Sequence, residues 1–279
     1  MSTILVLGGT GKTGRRIAPR LRAAGATVRT AARNGADVRF DWHDPATYDA
    51  ALHGADVVYF VPPALDLGYG PLAREFFDRA EVAGVRHITL LSARGVEFAP
   101  PEQAHRATEL ELGRRTAFTH SILRPGWFMQ DFDEYIFQPS IAADGEIVAP
   151  TGQGAEPFIH VEDIADVAAI TLLERRAGEF TLSGPQALTF ADVAERITRV
   201  AGRVVTHVDP PVAEWVAAAQ VPPDYAALLG MLFDQIRAGT LASLTDDVER
   251  VTGHAPRSFD DYLADPAVAA AWKAPSLIS

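Results

Sequence analysis

The sequence predicts an α/β fold in which a parallel sheet carries helices on both faces. Short β-branched and leucine-rich runs alternate with longer amphipathic stretches through the first half of the chain. A glycine-rich loop directly follows the first of those runs. Over 279 residues, 48% hydrophobic and 22% charged content is that of a globular chain able to bury a sizeable core.

Thr3–Leu7 reads as a buried first strand, and the stretch from Arg15 to Ala24 as a helix with Ile17 and Leu21 on one face, stopped by Gly25. Further strands are expected at Thr27–Ala31, Val38–Phe40, Ala55–Val61, His87–Leu91 and Thr119–Leu123. Helices are expected from Asp44-Pro45 to Leu52, over Leu72–Ala83 and over Ala104–Leu112. Phe158–Val161 and Phe180–Leu182 are strand-like, and Asp163–Leu173 is helical. Thr189 is a fitting N-cap for a helix to Ala201, and Ser258 for a last one. Alanine-rich helices fall around Val212–Ala219 and Ala226–Ala238. The expected organisation is a dinucleotide-type domain over 1–155, to which 156–178 returns, and a smaller, partly interleaved substrate lobe over 179–279.

Composition removes several functions. The absence of cysteine excludes disulfides, thiolate catalysis and thiolate metal sites. A net charge of −11 without basic runs argues against nucleic acid or an anionic membrane as partner. Met1–Thr3 lead straight into an apolar strand with no charged leader, and no apolar run approaches the roughly 20 residues that span a bilayer. A cytoplasmic protein with a small-molecule substrate is expected; the sequence leaves the oligomeric state open.

Gly8, Gly11 and Gly14 stand at Gly-x-x-Gly-x-x-Gly spacing between a strand and a helix. The first glycine permits a tight turn, the second lets backbone approach a pyrophosphate, and the third lets helix pack on strand. Thr10, Lys12 and Thr13 complete the loop. The free N–H groups of the helix N-terminus then face the phosphates. Gly11-Lys12-Thr13 imitates the end of a nucleoside-triphosphate loop. That motif needs another glycine five positions earlier, where Val6 lies inside the strand. A Rossmann-type dinucleotide site is therefore expected. An acid at the end of the second strand selects NAD, and a basic residue accommodates the phosphate of NADP. Here the strand ends in Arg33 with no acid between Thr27 and Ala36, so NADP(H) is expected over NAD(H), with Arg29 in reserve.

The loop, Val61-Pro62-Pro63, the stretch from Leu123-Arg124-Pro125-Gly126 to Gln130, the stretch from Phe158 to Ala165 and the tail Val251–Phe259 resemble NmrA-like atypical short-chain dehydrogenases/reductases. Asp41-Trp42 and Trp127-Phe128-Met129-Gln130 resemble the ergot-alkaloid branch of that family, the festuclavine and agroclavine dehydrogenases. The resemblance spans nearly the whole chain. It implies a nicotinamide-binding fold and reduction of an iminium or conjugated double bond in secondary metabolism. It places Asp41 and Trp42 near an adenine, Val61, Pro62 and Pro63 along the dinucleotide, and Trp127 and Phe128 beside the nicotinamide. Core packing is the alternative for both aromatic rings, and for Tyr135 as a pocket wall.

Better-known short-chain dehydrogenases use Tyr-x-x-x-Lys beside a serine. Ser92 follows the fifth strand where that serine belongs, but His105 and Glu109 occupy the tyrosine and lysine slots. Ser92 and His105 are the candidate catalytic residues. Either His105 donates a proton, oriented by Glu109, or both belong to a solvated helix face and the reaction needs no enzymic acid. Iminium reduction needs none, because hydride addition neutralises the cation. His160 reads as a structural hydrogen bonder, Asp163 as an acid in the first turn of a helix, and no metal site is expected. Three functions stay open: a reductase of an iminium, enone or quinone; a non-catalytic dinucleotide-binding regulator; and a redox-neutral isomerase or cyclase using the cofactor as scaffold.

Overall fold

Thr-Ile-Leu-Val-Leu has no polar face beyond its first residue, and the chain buries Ile4 to Leu7 as the central strand β1, Thr3–Leu7. The structure, a computed structural model, describes residues 2–272; Met1 and 273–279, the end of the expected lobe, lie outside the described residues. Six more strands join β1: β2 (Thr27–Ala32), β3 (Val38–Arg39), β4 (Val57–Phe60), β5 (His87–Leu91), β6 (Thr119–Pro125) and β7 (Gly178–Leu182). All pair in parallel, in the order β3-β2-β1-β4-β5-β6-β7. The order reverses between β1 and β4, so a switch point lies at the carboxyl end of β1.

The connecting helices are α1 (Gly14–Ala23), α2 (Tyr48–Leu52), α3 (Gly70–Val82), α4 (Ala104–Gly113) and α5 (Val161–Glu174). A short 3-10 turn over Pro45–Thr47 precedes α2, so the expected single helix from Asp44 is two pieces. Helix α5 returns to pack beside α1. Arg16 Nε reaches Glu162 at 2.8 Å and Arg20 Nε reaches Asp166 at 2.6 Å, ion pairs about three-quarters buried. One core of this part is aromatic: Phe60 meets Phe77 at 5.0 Å, and Phe76 stands edge-on to Phe40 at 5.8 Å. No helix among the described residues is long and apolar enough to cross a membrane.

The chain forms two compact units. Among the described residues, the first holds 2–125, 161–182 and 247–254; the second holds 126–160, 183–246 and 255–272. This differs from the expected division at 155 and 179. Residues after Gly126 leave early because their aromatic side chains build a core of their own. Phe132 stacks on Phe137 at 5.0 Å, and Phe158 and Phe259 close on it edge-first. The helix Asp247–Thr252 belongs to the first unit, where Asp247 accepts the Thr181 N–H at 2.7 Å and Val248 and Val251 are buried. Phe158–Val161 is not a strand. Ile159 makes a single bridge to Phe128, and Val161 already opens α5. In the second unit Thr189 caps Phe190–Ala201 and Ser258 caps Phe259–Leu263, each through a reciprocal box with an aspartate.

His87 lies at the start of β5 with no exposed surface. Its Nδ1 meets Thr119 Oγ1 at 2.8 Å and its Nε2 meets Ser121 Oγ at 3.1 Å. Burial, with His120 and Arg175 adding to it, pushes the imidazole down to about 4. The folded value lies below the ordinary 6.5, so protons bind the unfolded chain first. Stability from this group is then lost as pH falls from about 6.5 toward 4, by about 3 kcal/mol at the acid end. Burial also lowers His105 and His120, which act in the same direction. The difference between wild type and His87→Gln isolates the residue: urea midpoints at pH 7 and pH 4.5 should diverge less in the variant. An equal loss in both proteins would contradict this assignment.

Candidate functional site

The glycine loop forms at the switch point, and each glycine answers a different local demand. Gly8 has φ +63°, a left-handed turn that closes with Gly11 N–H donating to its carbonyl at 2.8 Å. A β-carbon on Gly14 would lie 2.2 Å from that same carbonyl oxygen, so α1 can start there only with glycine. Gly9, which the motif reading passed over, is as constrained: its β-carbon would lie 2.6 Å from Thr30 Cβ on β2. Gly11 differs. It is exposed, and its β-carbon would touch only the Gly8 oxygen, at 3.2 Å. The outer face of the loop is thus bare backbone that an anion can approach, which fits a pyrophosphate. Thr10 is exposed there, Lys12 is half-buried, and Thr13 is buried at the N-cap of α1 without a side-chain capping bond.

Beyond the end of β2, Arg33 is exposed and makes no hydrogen bond or ion pair among the described residues. Arg29, the reserve candidate, is not free. Its guanidinium donates to the carbonyls of Ala51 and His53 at 2.5 and 2.7 Å. Asp37 accepts the N–H and hydroxyl of Thr30 and pairs with Arg22. These contacts, the Thr30 bonds first, hold it below the usual carboxylate range. On the other flank, Trp42 packs edge-on to Phe40 and Phe60, and its indole N–H donates to the Val61 carbonyl at 3.2 Å. Asp41 accepts the His43 N–H and lies near Arg39. Pro62 and Pro63 follow Val61, all three half-buried.

The sequence misplaced Glu109. It is not on a solvated helix face: its side chain is 1% exposed. Arg124 grips it with two bonds, Nε to Oε1 and Nη2 to Oε2, both 2.8 Å. Arg106 adds a third at 2.9 Å, and Ser92 Oγ donates to Oε1 at 2.6 Å. Burial would raise the carboxyl, but Arg124 and Ser92 outweigh it and hold Glu109 below the usual range. Arg124, itself 5% exposed, also reaches Glu179 on β7 at 2.6 Å. His105 takes no part in this network. Its ring stands edge-on to Tyr69 at 5.4 Å, and its Nδ1 is buried without a partner. Burial lowers its pKa, with Glu109 only partly opposing, so the ring is neutral at pH 7. Glu109 therefore does not orient His105. The only hint of the real arrangement was an arginine 15 residues beyond the glutamate.

The second unit contributes a cavity of about 640 Å³, lined by Tyr135, Ile136, Val148, Trp215, Tyr225 and Leu229 among others. Trp215 is fixed by an indole bond to the Val148 carbonyl at 3.1 Å and by an edge contact to Phe233. Tyr135 thus lines a pocket; Trp215 and Tyr225, which it joins there, carried no sequence signal beyond alanine-rich helices. Trp127 does not line it. That ring stacks between Phe137 and Phe233 at 6.0 and 5.2 Å, in the core of the unit. Phe128 is half-buried, its N–H donating to Asp131. His160 meets Gln130 at 3.1 Å, the structural role expected of it.

Back in the first unit, Asp163 is fully buried. With Asp166 and His254 it brings one ligand atom each within 4.8 Å, a cluster the sequence spacing did not reveal. Asp166 already pairs with Arg20 and His254.

The sequence profile of the NAD(P)H-binding family matches residues 8–175. The chain is 35% identical over 283 residues to the agroclavine dehydrogenase of Claviceps fusiformis, covering 94% of this chain and 96% of that protein. Among solved structures it is similar to the triphenylmethane reductase of Citrobacter sp. complexed with NADP(H). That similarity has TM-score 0.75 and 24% identity, over 93% of this chain and 98% of the other. It is also similar to NmrA, a negative transcriptional regulator in complex with NAD, with TM-score 0.73 and 16% identity over 95% of each chain.

The loop geometry separates two substitutions. Gly11→Val should leave thermal unfolding within a few degrees of wild type and abolish dinucleotide binding, because only the outer face is filled. Gly14→Val should destabilise the first unit severely, since its β-carbon meets backbone. Calorimetric titration and thermal unfolding read both; normal dinucleotide affinity in folded Gly11→Val would remove the loop from the site.

Proposed function

The chain belongs to the NAD(P)H-binding family and is NmrA-like, in the company of the clavine dehydrogenases, and on that premise we propose that it is an NADPH-dependent reductase acting on a small apolar or aromatic electrophile in secondary metabolism. The substrate class is an iminium, enone or quinone. The observation that carries this reading is the bare glycine cradle ending β1 together with the unpaired Arg33 beyond β2. The aromatic cavity of the second unit supports the substrate class.

In this reading Gly8, Gly11, Gly14 and the loop residues Thr10, Lys12 and Thr13 cradle the pyrophosphate at the α1 N-terminus. Arg33 meets the 2′-phosphate, and Asp41 and the Trp42 ring border the adenine. Val61, Pro62, Pro63 and Ser92 follow the dinucleotide along the carboxyl ends of β4 and β5. The bound reduced dinucleotide supplies the hydride. Tyr135, Trp215 and Tyr225 hold an apolar substrate and keep water from it. His105 is neutral at pH 7 and is not an acid of useful strength, which suits an iminium whose charge the hydride cancels. A second reading, a non-catalytic dinucleotide-binding regulator, is favoured by the replacement of the tyrosine and lysine by His105 and Glu109. Assay of NADPH oxidation against a panel of iminium, enone and quinone compounds separates the two. Turnover above the enzyme-free rate supports the reductase, and tight binding without turnover on any of them supports the regulator.

Cofactor choice follows from charge. A 2′-phosphate carries about two negative charges at neutral pH, and a charge-assisted bond to Arg33 contributes roughly 1.5–3 kcal/mol. NADPH should then bind about ten- to a hundredfold more tightly than NADH. Arg33→Ala should weaken NADPH alone, and rising salt should shrink the preference. Equal affinity for both cofactors in wild type would overturn the NADPH assignment.

His105→Ala should change turnover by less than about tenfold, against the 10²–10⁴ typical of a lost general acid. A hundredfold loss in a folded variant would make His105 the proton donor.

A further inference from the structure

A serine at the end of β5 has one proton to give, and the surrounding charges decide where it goes. Glu109 is an ionised carboxylate, an acceptor only. Two arginines occupy it, and the 2.6 Å contact from Ser92 can form only with the serine hydroxyl as donor. The serine is held on its other side by backbone as well, its N–H donating to the Leu123 carbonyl at 2.8 Å. Its oxygen keeps lone pairs, and the residue as a whole is 7% exposed. In sheet order β5 stands two strands from β1, about 10 Å from the glycine cradle along the row of carboxyl ends. Arg33 lies on the opposite side of the cradle, beyond β2. A dinucleotide anchored by its pyrophosphate at β1, with its phosphorylated ribose toward β2, extends its nicotinamide half toward β5.

We propose that Glu109, held by Arg124, is a positioning residue that commits the Ser92 proton, so that Ser92 Oγ accepts a hydrogen bond from an N–H or O–H on the nicotinamide half of the dinucleotide and is not a proton donor in the reaction. The proposal rests on the dinucleotide reading above. It reverses the part a serine takes beside Tyr-x-x-x-Lys. Arg124 replaces the missing lysine as the local cation, but its charge is neutralised by Glu109 and Glu179 and not offered to a phenol. The shared chemistry has two sources: the carboxamide N–H and a ribose O–H.

Calorimetric titration of NADPH and of its 3-acetylpyridine analogue, which lacks the amide N–H, tests this in wild type, Ser92→Ala, Glu109→Gln and the double variant. Ser92→Ala should weaken NADPH about five- to tenfold, the effect of one lost hydrogen bond. If the carboxamide is the donor, the analogue binds wild type about as weakly as NADPH binds Ser92→Ala, and Ser92→Ala weakens it no further. If the ribose is the donor, both ligands weaken alike. Glu109→Gln keeps an oxygen that can accept the Ser92 hydroxyl but loses the charge that commits its proton, so it should weaken NADPH less than Ser92→Ala. The double variant should be no worse than Ser92→Ala alone, a coupling that general loosening of the fold would not produce. Should Glu109→Gln fail to fold, Ser92→Ala still decides. Unchanged affinity for both ligands in Ser92→Ala overturns the proposal, as does a hundredfold loss of single-turnover rate with normal affinity, which would make Ser92 the donor. Failure of wild type to bind NADPH at all would instead overturn the dinucleotide reading.

Discussion

Helix α1 begins where it does because Gly14 has no side chain. A β-carbon there would stand 2.2 Å from the Gly8 carbonyl oxygen, well inside any tolerable contact. That close approach brings the helix directly onto the end of β1 and leaves Gly11 exposed on the outer side of the loop. The switch of strand order at β1, the exposed Gly11 and the arginine beyond β2 all take their meaning from this turn. The ion pairs from Arg16 and Arg20 to α5 then hold the helix from its outer side.

At the other end of the row, the buried pair of Arg124 and Glu109 does for β5, β6 and α4 what the glycines do for β1. Two charges this deeply buried are tolerable only when both are bonded on every side. Glu109 has Arg124, Arg106 and Ser92; Arg124 has Glu109 and Glu179. Loss of either member leaves a buried charge uncompensated, which typically costs 3–5 kcal/mol. The pair thus couples the stability of the first unit to the orientation of Ser92.

What could be read from the sequence was local. β1, the glycine loop, Thr189 and Ser258 announce themselves through neighbours in the chain, and the structure forms them as expected. Glu109 could not be read that way. Four-residue spacing from His105 suggested a helix-surface pair, whereas its partner lies on β6 and the sheet order that brings them together is not written in either segment. Phe158–Val161 has strand composition, but within it the β-pairing is a single bridge, from Ile159 to Phe128. The handover at Gly126 is marked by no linker. It is set by aromatic residues scattered from Phe132 to Phe259 whose common core appears only in three dimensions. The cavity residues Trp215 and Tyr225 are hidden for the same reason.

The account stands or falls on direct hydride transfer. NADPH carrying deuterium at the 4-pro-R or the 4-pro-S position, supplied in turn with a turned-over iminium or enone, whose carbon keeps the label against exchange, allows the product to be read by mass spectrometry. The reductase account predicts one deuterium per product from one of the two labelled cofactors and none from the other. Unlabelled product from both, or NADPH bound but never consumed with any substrate, would contradict it.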